Sequence, residues 1–247
     1  MTRLLLFAAL MCVAAAAVAG DSASADTGAK VTITAQRDAE WASYRHAYKA
    51  QSMFMLHTGP RPLIQAHMQI RPREPGLSLE GLQVQLASET VKLDLPVDGI
   101  GRVTMPLLKS AYDEDAVLRL NRQKGHYRFS GRYSIRERDD GLYGAAMLRE
   151  ACQQVLDAQR ASGSRFRMFG KKCVGVTFIY PLAASAAGVQ YRTADGKDAL
   201  IAAADAEPFE SGPIGPYKVA VYRFAAWPAG GTIVAERRPL AIGTLYE

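Results

Sequence analysis

The chain has 247 residues, of which 49% are apolar and 22% are charged. This composition excludes a disordered or collagen-like chain and is typical of a globular protein with one large domain or two small ones. The net charge of +6 favours anionic partners, although an excess of this size does not name one.

Residues 1–25 have the features of a secretory signal peptide. Arg3 gives a positive start, an apolar run covers 4–18, and the second of two A-x-A sites ends at Ala25. The run is shorter than the roughly 20 residues of a membrane-spanning helix. The residue before Cys12 is not small, which argues against a lipid-attachment site. We therefore expect a periplasmic or secreted protein with no transmembrane segment.

A strand over 31–36 and a helix over 39–56 are expected next. Asp38 is a suitable N-cap, and aromatic residues such as Trp41 and Tyr44 recur at helical spacing. We interpret this stripe as a face buried in the core, because amphipathic helices usually bury their apolar side.

From residue 63 onward, short alternating runs separated by turn residues predict antiparallel strands. In the first half of the chain these runs cover 63–71, 81–87, 91–95, 102–107, 117–121 and 126–136. The last two flank a turn in which Gly125 can adopt the positive φ of many hairpin loops. We expect these two strands to form a hairpin.

The strand over 126–136 has the most regular alternation in the chain. Its apolar and aromatic side chains share one face, while Arg128, Arg132 and Arg136 share the other. Successive arginines are about 13 Å apart, because each step spans four residues of extended chain. That spacing suits a polymer better than one small ligand.

The candidate ligand-binding residues are Arg119, Arg122, Lys124, Arg128, Arg132 and Arg136. Arginine offers paired donors to phosphate, carboxylate or sulfate groups, so the candidate partners are an anionic envelope polymer or lipid headgroups. The commoner alternative is a solvated sheet face that pairs with acids of neighbouring strands, such as Asp94 or Glu89. Nucleic acid is not expected, because the aromatic residues lie on the opposite face from the cations.

The second half begins with a predicted helix over 142–161, whose inner face includes Cys152. Cys173 opens a buried strand over 173–180, and further strands are expected at 188–193, 199–204, 217–224 and 232–237. Two cysteines remain after the leader, and an even pair in an exported protein predicts a Cys152–Cys173 disulfide. In the chain-entropy description, this bond stabilises the fold by about 3 kcal/mol.

Catalytic signals are weak in this sequence. No serine-hydrolase, zinc-protease or EF-hand motif occurs, and the four histidines lack chelating spacing, so no metal or cofactor is expected. Asp113, Glu114 and Asp115 group three carboxylates. They are either a charged turn, which is the commoner case, or part of a hydrolytic pair.

The sequence thus predicts an α+β fold, mainly antiparallel β-sheet and sandwich-like, with two packed helices. The expected organisation is a signal peptide over 1–25, a helix plus β-rich half over 26–138, and a second such half over 139–247. We expect an exported, non-catalytic protein whose basic strand face binds an anionic envelope component or a protein partner. Alternatives are a hydrolase of envelope glycans or esters that uses a carboxylate pair, and an inhibitor or accessory subunit that docks through a sheet edge.

Overall fold

A computed structural model describes residues 39–58, 63–164, 166–193, 195–209 and 214–247. The predicted signal peptide, the predicted strand over 31–36 and the predicted Asp38 cap lie outside these ranges. The described residues form fifteen strands in three sheets and three α-helices, and every strand pair is antiparallel. The α+β class is confirmed at this level. The sandwich-like arrangement and the division into two halves stay predictions.

The helices are α1 (Tyr44–Thr58), α2 (Lys109–Asp113) and α3 (Ala145–Gln159). The predicted start of the first helix is wrong, because Ala39–Ser43 forms strand β1. Trp41, expected in the core, is 52% exposed on this strand, whereas Tyr44 is buried at the start of α1. Pairing of β1 with a neighbouring strand outweighed the helical spacing of the aromatic residues.

A first sheet has the order β1-β6-β3-β4. Its further strands are β3 (Val84–Ala87), β4 (Lys92–Leu95) and β6 (Val117–Gln123). Alternate residues such as Leu86 and Leu118 are fully buried in a core shared with α1. The sheet therefore has one buried face and one exposed face.

The central sheet has seven strands in the order β12-β13-β9-β15-β7-β2-β5. These strands are β2 (Ile64–Pro72), β5 (Arg102–Val103), β7 (Tyr127–Ile135), β9 (Cys173–Tyr180), β12 (Ala204–Ala206), β13 (Tyr217–Arg223) and β15 (Ala241–Tyr246). Strands β6 and β7 lie in different sheets, so the predicted hairpin is wrong. Gly125 has φ 100° in the turn between them, but β7 pairs along its whole length with β2 instead.

The third sheet has the order β11-β10-β14-β8. Its strands are β8 (Leu142–Gly144), β10 (Gly188–Arg192), β11 (Asp198–Ala202) and β14 (Thr232–Val234). The predicted helix over 142–161 therefore begins late, because its first residues pair as β8 with β14. The inner face of α3 is confirmed, since Leu148, Cys152 and Val155 are fully buried.

Strand β15 was not predicted, although it lies between β9 and β7 in the central sheet. Its apolar run is interrupted by Gly243, which weakens the strand signal. A Cβ at this glycine would lie 2.6 Å from Thr177 Oγ1 and 3.4 Å from the Phe209 ring. The close approach of these two side chains explains why the position carries no side chain.

Helix α3 packs against β7 and β9 of the central sheet and is also held covalently. The predicted disulfide is confirmed: Cys152 of α3 bonds to Cys173 at the start of β9, with a Cα–Cα distance of 6.0 Å. No helix in the described ranges has both the length and the apolar character needed to cross a membrane.

Candidate ligand-binding face

The second face of β2, β5 and β7 carries a continuous set of polar side chains, which we call the polar face. Directly opposite residues in an antiparallel pair point to the same side of the sheet. The register of β2 with β7 therefore joins the polar residues of both strands, and that of β2 with β5 adds Arg102. The polar face consists of Gln65, His67, Gln69, Arg71, Arg102, Arg128, Ser130, Arg132, Ser134 and Arg136.

Three of the six predicted binding residues lie on this face, namely Arg128, Arg132 and Arg136. The other three belong to β6 and the turn after it. Arg119 is exposed on the outer face of the first sheet, opposite Gln85 and Trp41.

Arg122 and Lys124 also lie away from the polar face. The Arg122 guanidinium donates to the backbone carbonyls of Asn121 and Glu80, both at 3.0 Å. Lys124 is exposed in the turn. The six residues are close in sequence but do not form one binding surface, because the strands before and after Gly125 belong to different sheets.

Gln69 orients two arginines of the polar face. Its Nε2 donates to the carbonyl of Ile100 at 3.1 Å. Its Oε1 accepts from Arg71 Nε at 3.2 Å and from Arg132 Nε at 2.9 Å. The Arg132 guanidinium also stacks on Phe209, with Cζ 4.0 Å from the ring centroid, so its direction is fixed.

Arg102 forms a buried ion pair beside this cluster. It is 7% exposed, and its nitrogens lie 2.7 Å from Asp98 Oδ2 and 2.9 Å from Glu137 Oε1, whose side chain is 8% exposed. It also donates to Ser134 Oγ at 3.3 Å and to the carbonyl of Leu240. Burial disfavours the charged guanidinium, but the two carboxylates outweigh this and raise its pKa.

His67 lies on β2 directly opposite Arg132. Both ring nitrogens are buried, and neither has a hydrogen-bond partner in the described part of the chain. Burial and the charge of Arg102 lower the pKa of His67 to about 4. The imidazole is therefore neutral at pH 7, which limits the positive charge crowded onto this part of the face.

Arg71 and Arg128 lie directly opposite each other at one end of the polar face. Burial and the charges of Arg128 and Arg167 lower the pKa of Arg71 to about 10. Arg128 is exposed, and its side chain forms no hydrogen bond or ion pair with any described residue. Like charges directly opposite across a strand pair are destabilising, so this end of the face is electrostatically suited to an anion.

Asp94 and Glu89, the acids expected to pair with the arginines of an ordinary solvated face, do not lie on the polar face. Asp94 is on β4 of the first sheet, where it accepts from Gln85 Nε2 at 3.0 Å, and Glu89 is exposed between β3 and β4. Strand β2 instead presents an arginine, a histidine and two glutamines to the arginines of β7. The strand order therefore places these two acids away from Arg128, Arg132 and Arg136, although Asp94 shares the outer face of the first sheet with Arg119.

The three grouped carboxylates each have a different partner. Asp113 pairs with Lys109, and Asp115 lies 2.8 Å from Arg45. Glu114 accepts from both the hydroxyl and the backbone N–H of Thr90, which closes the turn after β3. The described residues contain no group of three acidic, histidine or cysteine side chains that could hold a metal ion. The hydrolase hypothesis stays a prediction.

A cavity of about 630 Å³ lies between the segment 72–80 and the segment 214–217, next to the end of β2, where Pro72 contributes to its lining. Glu74, Glu80 and Glu207 contribute to its lining. These carboxylates would repel an anionic ligand. The cavity and the polar face therefore do not serve the same chemistry.

The polar residues of β2 were missed as site residues, although the sequence carries a signal for them. Gln65, His67, Gln69 and Arg71 occupy every second position of the strand, the same alternation that β7 shows. Two such strands become one surface only when they pair in the observed register, which periodicity does not determine.

Comparison of the chain with protein-family models, curated proteins and solved structures finds no match.

Proposed function

We propose that this protein is exported and non-catalytic, and that it binds an anionic envelope polymer through Arg128, Arg132 and Arg136, which we call the arginine row. The observation that carries the proposal is the position of Arg128. It is exposed, it lies opposite Arg71, and no described carboxylate compensates it. A polyanion at this end would replace like-charge repulsion with charge-assisted hydrogen bonds.

The members of the row have different expected roles. Arg128 and Arg136 are exposed, and the only hydrogen bond from the Arg136 guanidinium to a described residue goes to the carbonyl of Ile64, at 3.3 Å. Both are suited to direct contact with the ligand. Arg132 is held by Gln69 and Phe209, so it supports the positive potential from a fixed position between them.

Export is supported by the disulfide and by the predicted leader. Disulfides persist in oxidising compartments and are rare in the cytosol. The Cys152–Cys173 bond forms in the interior, where α3 meets β9. A polymer of the cell envelope is therefore a more accessible partner than a cytoplasmic polyanion.

Charge reversal at Arg128 tests this proposal. The Arg128→Glu variant and the wild-type chain are titrated with dextran sulfate and with polyphosphate at several salt concentrations. We expect an affinity loss of about tenfold or more at low salt, because a lost charge-assisted contact is worth about 1.5–3 kcal/mol. The dependence of binding on salt should also become weaker.

Lys92→Glu is the matched control, since Lys92 is exposed on β4 of the first sheet and the change in net charge is identical. Equal losses for both variants would mean that net charge alone drives binding, which would refute the proposed row. Arg132→Glu is unsuitable as the main test, because it would place a carboxylate against Phe209 and break the Gln69 contact.

A further inference from the structure

The segment Phe166–Lys172, between α3 and β9, presents two aromatic side chains to solvent. We call it the aromatic loop. Phe166 is 97% exposed and Phe169 is 87% exposed, while Met168 between them is buried in the main core. Exposed single apolar residues are common, but two almost fully exposed phenylalanines three positions apart in one short segment are not.

The backbone of the aromatic loop is braced. The N–H of Phe169 donates to Phe166 O at 3.2 Å, and that of Lys171 donates to Met168 O at 3.3 Å. Lys172 and Glu247 exchange two backbone hydrogen bonds of 2.8 and 3.1 Å, and the disulfide follows at Cys173. The phenylalanines are therefore exposed in a fixed arrangement rather than at the end of a loose segment.

The aromatic loop also contains three cationic residues. Arg167 and Lys172 are exposed, and Lys171 is half-buried. Glu247, whose backbone is bonded to that of Lys172, pairs through its side chain with Arg223. The loop thus combines an apolar tip with a positively charged base.

We propose that the aromatic loop docks onto an anionic phospholipid surface. Phe166 and Phe169 enter the boundary between headgroups and acyl chains, and Lys171 and Lys172 contact the headgroup phosphates. Lysine is depleted in the cores of protein–protein interfaces, whereas cations beside exposed aromatic residues match an anionic membrane. The residues that would contact the membrane differ from those of the arginine row, so the two proposals can be tested with different variants.

Vesicle partitioning of the full chain tests the proposal. The wild-type chain and a Phe166→Ser/Phe169→Ser variant are mixed with phosphatidylcholine vesicles that contain 30% phosphatidylglycerol, and the bound fraction is measured by sedimentation. We expect the double variant to bind about 10- to 100-fold more weakly, because two apolar side chains no longer leave water. Leu200→Ser, at an exposed leucine of β11, should change binding less than twofold.

A second measurement reports the position of the loop itself. In a Phe169→Trp variant, brominated acyl chains should quench the introduced tryptophan, whereas Leu200→Trp should show only the background of the two native tryptophans. Lys172→Glu should weaken binding about tenfold on the anionic vesicles and hardly at all on pure phosphatidylcholine, because surface charge acts on each cation near the membrane.

Three results would overturn the proposal. Unchanged partitioning of the double variant would show that other residues bind the vesicles. Absence of quenching at position 169 would place the loop outside the bilayer. Loss of self-association in the double variant, with vesicle binding intact, would identify the loop as an interface between copies. Dextran sulfate binding should be normal in the double variant, which separates failure here from failure of the arginine row.

Discussion

The two faces of the central sheet are built from the same strands but stabilised in different ways. On one side of the β2–β7 pair, Ile64 and Ile135 lie opposite each other and are fully buried near α3. On the other side, Gln65 lies opposite Ser134, and both belong to a network around the Arg102 ion pair. Both faces therefore contain buried side chains, Ser134 and Arg102 among them, so burial alone does not distinguish the core face from the candidate binding face.

The two kinds of stabilisation tolerate change differently. Apolar burial is non-directional, so a substitution of similar size costs little. The polar face depends on donors and acceptors placed within hydrogen-bond distance. A buried charge that loses its partner destabilises the folded state, because its lost hydration is no longer compensated. We therefore expect single substitutions on the polar face to have large and uneven effects.

The largest effect is expected for Arg102→Leu. This change leaves the buried Glu137 carboxylate without a counter-ion, and breaking such a pair costs about 3–5 kcal/mol. Urea unfolding at pH 7 should show a free energy of unfolding lower by that amount.

The double variant Arg102→Leu/Glu137→Leu sharpens this test. Replacement of a whole buried ion pair by apolar residues is often close to neutral, so the second substitution should restore much of the lost stability. If the double variant is less stable than Arg102→Leu, the charge of Glu137 is not the source of the loss.

An intermediate effect is expected for the pH dependence contributed by His67. Its pKa is about 4 in the folded chain and near 6.5 in an unfolded chain. The unfolded state therefore binds more protons between these values, and stability is lost as the pH falls from 6.5 towards 4. The loss from this one group amounts to about 3 kcal/mol at most.

The measurement compares the wild-type chain with His67→Gln by urea unfolding at several pH values between 7 and 4. Carboxylates titrate in both chains, so the difference between the two curves isolates the imidazole. We expect the variant to lose less stability across this range. Parallel curves would mean that His67 has the same pKa in the folded and the unfolded chain.

The smallest effect is expected for Arg128→Thr. Removing one of two like charges that lie directly opposite should stabilise the fold by about 0.2–1 kcal/mol. Arg119→Thr is the matched control, because Arg119 lies opposite Gln85 and Trp41 rather than a cation. Equal changes in the two variants would indicate that threonine propensity, rather than repulsion, is responsible.

Sequence patterns predicted most of the local structure. The buried face of α3, the strand β9 and the disulfide all followed from spacing and composition, because these signals depend on neighbours along the chain. The misassigned elements were those decided by distant partners. The aromatic residues of 39–43 have helical spacing, but the segment pairs with β6. Gly243 interrupts the apolar run of β15, so this strand inside the central sheet was not predicted.

The candidate site was predictable only in part for the same reason. The alternation in β7 identified Arg128, Arg132 and Arg136 as members of one face. The alternation of His67, Gln69 and Arg71 is visible in the sequence, but nothing local indicated that their strand would pair with β7. Nothing local indicated either that Glu137 would be buried with Arg102, because both features depend on the order of strands. Strand order is set by long-range pairing.

The position of β15 affects when the protein can finish folding. This strand joins the part of the central sheet that contains β9 and β13 to the part that contains β7 and β2, and it follows all of them in the chain. During synthesis, the strands of the two parts cannot join into one sheet until residues 241–246 have left the ribosome, although α3 packs against strands of both parts. The nascent chain is therefore expected to stay incompletely folded for most of its translation, which is the condition that passage through a narrow translocation channel requires.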